Sequence, residues 1–117
     1  MNLAAQKIET DLAAYAPLGA VVGEKHYRGL APKNAKVPFI VYKIKENKRA
    51  TKDYTGEYEV QIYCFQNSLT NASTLSDLVR DAMPDTEYRY QGGSEDYSDL
   101  EGKEAYVELN FNFKIRI

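Results

Sequence analysis

Residues 105–117 read AYVELNFNFKIRI. Ala105, Val107, Leu109, Phe111, Phe113, Ile115 and Ile117 alternate with Tyr106, Glu108, Asn110, Asn112, Lys114 and Arg116. Successive side chains of an extended chain point to opposite sides, so this is a strand with one apolar face and one polar face. At about 3.3 Å per residue it spans roughly 43 Å. A compact chain of this size has a radius of gyration of about 13 Å and a diameter near 35 Å. The strand is therefore expected to bend sharply or to overhang its own domain. An overhanging apolar face calls for a partner, and the simplest one is a second copy of the chain.

Working outward from that strand, residues 57–65 alternate as well, with Tyr58, Val60, Ile62 and Cys64 against Glu59, Gln61, Tyr63 and Phe65. Both faces become apolar near the end of this run, as in a strand that passes from solvent into packing on two sides. Before it, Phe39 to Ile44 is β-branched and aromatic and begins just after Pro38, where a missing N–H costs least. The polar connection 47–56 is long for a tight hairpin, so the two strands are expected to continue as an arm beyond the core.

Two helices frame these strands. Leu3, Ile8, Leu12 and Tyr15 follow near-helical spacing, with Pro17 and Gly19 as the expected stop. Ser68 or Thr70 can cap a second helix whose stripe is Ala72, Leu75, Val79, Ala82 and Met83, and Pro84 stops it. The stretch 16–36 is punctuated by Pro and Gly and reads as turns around a short extended piece near Lys25–Arg28. Thr86–Tyr90 reads as a short strand, and Gln91–Lys103, opened by Gly92 and Gly93, as an acidic loop. The strands arrive in runs and not in βαβ alternation. The expected fold is α+β: an antiparallel sheet with long strands and two helices packed on one face.

The bulk numbers narrow the function classes. With 117 residues the chain reads as a single domain, 1–117. Fifteen basic residues against 17 acidic ones leave a net charge of -2, which gives no field that draws in polyanions or membranes. One cysteine cannot make an internal disulfide, and the first 30 residues contain no basic-then-apolar leader or membrane-length run, so a cytoplasmic location is expected. Ten tyrosines and no tryptophan favour wet sheet faces and interfaces.

A search for chemistry yields little. Cys64 is in register with Val60 and Ile62 and reads as a small core residue. His26 is the only imidazole and has no evident carboxylate or nucleophile near it in sequence. These two residues cannot supply a closed zinc set. Glu95, Asp96, Asp99 and Glu101 crowd one segment, but they lack the spacing and the turn glycine of a calcium loop and read as solvated acids. No catalytic residue, cofactor or metal is expected. One contrast remains: Lys43, Lys45, Lys48, Arg49 and Lys52 against Glu46 in one region, and only acids among the charged residues of 95–101. Opposite charges on separate parts of one molecule suit a head-to-tail contact that closes a ring; two ordinary solvated loops are the plainer alternative.

The passage Gly23–Ile44, GEKHYRGLAPKNAKVPFIVYKI, together with the order of elements through Leu75–Ala82, resembles the small bacteriophage tail-completion or tail-terminator proteins. The likeness covers roughly the first 85 residues and matches less clearly beyond. It implies a non-enzymatic α+β subunit of a phage or prophage. Such subunits close into rings, commonly hexameric, that cap the tail tube and present a surface to the head connector. On this reading the partners are further copies of the chain, a tail tube protein and a head connector protein, with no membrane and no specific nucleic acid. The location is the host cytoplasm during assembly and then the virion tail. Subunit contacts are expected from the 47–56 arm (Lys48, Arg49, Lys52, Tyr54), from the acidic segment (Glu95, Asp96, Asp99, Glu101) and from the terminal strand (Phe113, Ile115, Ile117). A competing reading is a single-stranded nucleic-acid module stacking bases on Tyr63 and Tyr106 of an open sheet. Another is a small enzyme built on His26 and a carboxylate.

Overall fold

The computed structural model describes residues 2–48, 55–97 and 104–116. In chain order the elements are α1 (Asn2–Ala14), α2 (Ala16–Val22), β1 (His26–Arg28), β2 (Phe39–Lys48), β3 (Thr55–Gln66), α3 (Leu69–Ala82), β4 (Tyr88–Tyr97) and β5 (Ala105–Arg116). The strands form one sheet in the order β1-β2-β3-β5-β4, antiparallel at every pairing except β1 with β2. This is the expected α+β class.

Register shows why these residues make one core. Ile40, Tyr42, Val60, Ile62, Cys64, Leu109, Phe111 and Phe113 fall on one face of the sheet. They join Ile8 and Leu12 of α1, Leu18 and Val22 of α2, and Leu75 and Val79 of α3 in a single buried cluster. Each buried Val, Leu, Ile or Phe among them contributes about 1.5–3 kcal/mol by leaving water. α3 begins at the expected cap, with Asn71 N–H donating to Ser68 Oγ at 3.2 Å.

Three expectations need correction. Among the described residues the helix layer holds three helices rather than two, because Pro17 not only follows the end of α1 but sits in the first turn of α2, where its missing N–H has no intrahelical partner to lose. The expected acidic loop is strand through Tyr97. Its glycines make a register shift inside a strand: the slip lies between Tyr90 and Gly92, with Gly92 at φ +123°.

The third correction concerns the terminal strand. β5 neither overhangs nor lies at an edge: it pairs with β3 from Ala105 to Arg116 and with β4 from Ala105 to Phe113. A near-spherical body would be too short for this strand, but β3 is as long as β5 and the molecule extends 50 × 28 × 25 Å. Its apolar side faces the helices, with Phe111 2 % exposed. The partners of the terminal strand are β3 and β4 of the same chain.

Candidate functional site

α1 sets the polar ties of the helix face. Its Lys7 lies 3.1 Å from Asp11 Oδ2 and 2.9 Å from Glu87 Oε1. Burial alone would lower the Lys7 pKa, but these two hydrogen bonds outweigh it and hold the ammonium above its usual value. Tyr88 donates to Asp11, and Tyr42 donates to Glu9. Burial pushes both phenols up, and the carboxylate partners push the same way.

His26 Nδ1 lies 2.5 Å from Glu9 Oε2, close enough for an ion pair though not aligned as a hydrogen bond. The imidazole therefore has a carboxylate neighbour, supplied by a distant helix, that local sequence did not reveal. Tyr42 and His26 share that carboxylate, and the three residues tie α1 to β1 and β2. Cys64 is fully buried and burial pushes its thiol up, so it is not a thiolate at neutral pH. Among the described residues, no three His, Cys, Asp or Glu side chains are grouped to hold a metal.

The other face of the sheet carries no helix. Its end nearest the 29–31 turn is aromatic: Phe39 and Phe65 stack at 4.7 Å, Phe65 and Tyr106 lie 5.6 Å apart, and Tyr63 and Tyr106 meet edge-on at 5.8 Å. Lys43 Nζ stands 5.5 Å from the Tyr63 ring centre. Burial raises the Tyr63 pKa, with its hydrogen bond to Glu108 acting in the same direction. Glu108 also accepts from Ser94 Oγ at 3.2 Å.

The two margins of the sheet differ in charge. β4 is the outer strand on one side and carries Glu95 and Asp96. On the other side β1 covers β2 only from Ile40 to Tyr42. Beyond that point, β2 from Lys43 to Lys48 has no described strand on its outer side, and this segment holds three lysines against Glu46. Among the described residues the sheet thus has one outer margin on β4, with Glu95 and Asp96 near its end and Arg89 near its start, and another on β2 with the three lysines.

The sequence-derived interface residues distribute unevenly over this frame. Glu95 and Asp96 lie on the β4 margin, exposed. Phe113 is a core residue, 4 % exposed, between Tyr58 at 5.6 Å and Tyr88 at 5.3 Å. Ile115 is half-buried on the same face. Arg49, Lys52, Tyr54, Asp99, Glu101 and Ile117, and the side chain of Lys48, lie outside the described residues. Strand order does not follow chain order, and no local sequence pattern announces which strands lie at the margins of the sheet.

Among the described residues no helix is long and apolar enough to cross a membrane. No protein-family model matches the chain, and no curated protein matches it.

Proposed function

We propose that this chain is a structural subunit of a phage or prophage tail. It closes with further copies into a ring, a hexamer on the family pattern, that caps the tail tube and joins it to the head connector. On this reading it is not an enzyme; it assembles in the host cytoplasm and ends in the virion tail. The observation that carries the reading is the pair of sheet margins that have no neighbouring strand among the described residues, with Glu95 and Asp96 on one and Lys43 and Lys45 on the other. An exposed strand edge is a template for pairing with another chain, and an acidic edge meeting a basic edge of the next copy is a heterologous contact, which closes a ring when the rotation allows. Asp96 is level with Tyr106 of β5 and Lys43 with Asn110, so bringing the charges together needs a stagger of about four residues, roughly 13 Å. The resemblance over Gly23–Ile44 supplies the tail context.

The nucleic-acid reading is less well supported. Glu108 bonds Tyr63, and Asp96 pairs with Tyr106 across the strands. A phosphate backbone approaching these rings therefore meets carboxylates beside Lys43.

The tail assignment is tested by antibody labelling of particles released by the host and viewed by electron microscopy. Label at the head-proximal end of tails is the expected result; particles without label on their tails would sink the assignment.

A further inference from the structure

The helix-free face of the sheet takes no part in margin-to-margin pairing. Its aromatic half holds a groove of about 400 Å³ between the 29–31 turn and the rings of Tyr63, Phe65 and Tyr106. Leu30 stands on the rim of that groove, 84 % exposed. Leucine in that position leaves most of its apolar surface in water, next to a recess lined by apolar groups. The four long strands, ten to twelve residues each, give this face on the order of 700 Å² at the usual strand spacing and rise. Phe39 and Val41 at its β2 side are already buried, so the open part is smaller than the roughly 800 Å² each partner contributes to a standard stable interface and suits a weaker contact.

We propose that this face packs against the same face of a second copy of the chain, about a two-fold axis running along β3. The contact goes beyond the ring and does not rest on it. β3 is the middle strand of five, so the axis lays the β1–β2 side of one copy over the β5–β4 side of the other. Such an isologous contact requires one surface to carry both halves of each interaction, and this surface does. Leu30 lies on the β1 side of the groove, while Tyr97 and Tyr106 line its β4–β5 side. Under the rotation the leucine of each copy enters the groove of the other at that far wall.

The charges match under the same operation. Lys43 lies on one flank of β3 and Glu108 on the other, two residues apart in level. Sheets packed face to face lie about 10 Å apart with their side chains interleaved, so the lysine of each copy reaches the glutamate of the other. Glu108 already accepts from Tyr63 and Ser94, and a carboxylate has room for a further donor. Near the axis itself Tyr63 and Phe65 meet their own copies, an arrangement that aromatic rings satisfy by offset or edge-on contact.

The test uses the full chain. Gln61 is exposed, faces the helix-free side and sits on β3, beside the axis. Cys64 is buried, so Gln61→Cys places the one reactive thiol there. A short bis-maleimide cross-linker is expected to give covalent dimers from this variant and not from Asp77→Cys, which is exposed on α3. Adding Leu30→Asp is expected to reduce the dimer yield at least tenfold while circular dichroism stays unchanged, since Leu30 has few contacts to lose. Proline at Ser94 or Glu95, whichever variant stays folded, interrupts the β4 margin and is expected to leave the cross-link in place, which separates this contact from the ring. Equal dimer yields from Gln61→Cys and Asp77→Cys, or a yield unaffected by Leu30→Asp, would overturn the proposal.

Discussion

The hydroxyl of Tyr88, at the start of β4, donates to the carboxylate of Asp11 in α1, 77 positions earlier in the chain. Lys7 pairs with the same carboxylate and lies 4.9 Å from the Tyr88 ring centre. One residue of the outer strand is thereby fixed to the first helix, and β4 is held in place on its inner side by β5, with no described strand on its outer side.

Tyr88→Phe keeps the ring and removes that bond. The cost is expected to be about 1.5–3 kcal/mol, the range for a hydrogen bond to a charged group, read as a lower urea midpoint with an unchanged slope. Asp11→Asn tests the same contact from the other side, and the two losses should not add.

Gly93 admits no side chain. A Cβ there would lie 2.4 Å from the Glu108 carbonyl oxygen, which is backbone of the paired strand. Gly93→Ala must therefore push β4 away from β5, at a cost of about 1–3 kcal/mol. Gly19 is the control: it lies inside α2 with nothing within 4 Å of the added Cβ. Gly19→Ala is expected to stabilise by about 0.5–1 kcal/mol. Thermal melts of the two variants should move in opposite directions.

Alkali should destabilise the fold. Tyr42, Tyr88 and Tyr63 are raised from an ordinary value of 10.0, Lys7 from 10.5 and Cys64 from 9.0. In each case the folded chain holds its proton more tightly than the unfolded one. The stability these groups contribute is complete below their ordinary values and is lost as pH rises through the folded ones. Urea unfolding is expected to give level stability from pH 7 to about 9 and a steep fall above about 10. Tyr88→Phe should make that fall shallower.

Cys64 should react only through opening of the fold. It is fully buried and its thiol is pushed up. Labelling by an aromatic disulfide reagent should therefore proceed at the rate of native-state opening and become immediate in denaturant. Rapid labelling of the native chain would contradict its position in the core.

Alternation made β2, β3 and β5 readable from sequence, because a period of two leaves few other structures. The same property showed the Phe65 end of β3 to be apolar on both sides, which is where the aromatic groove lies. Strand order was not readable: nothing in residues 105–117 says that β3 lies on one side and β4 on the other, and so the terminal strand was expected to stand free. In sequence Gly92 and Gly93 look like loop residues, because glycine marks both turns and bulges and only the partner strand decides between them. Pro17 was read as a stop when it is also a start. The bonds Glu9–Tyr42 and Asp11–Tyr88 join helix to strand across the fold, where no sequence period connects them.

Ring closure, as proposed, joins the β4 margin of one copy to the β2 margin of the next, each without a described strand on its outer side. Mass photometry of the purified chain, beside its folded Ser94→Pro or Glu95→Pro variant, tests it most directly. Of two adjacent residues in an antiparallel strand, one directs its N–H outward, so one of the two prolines blocks the outer edge without breaking the β5 ladder. A single closed species of fixed copy number, absent in that variant, is the predicted result. A chain that stays monomeric or dimeric across all concentrations, or a ring that forms equally well with the proline in place, would contradict it.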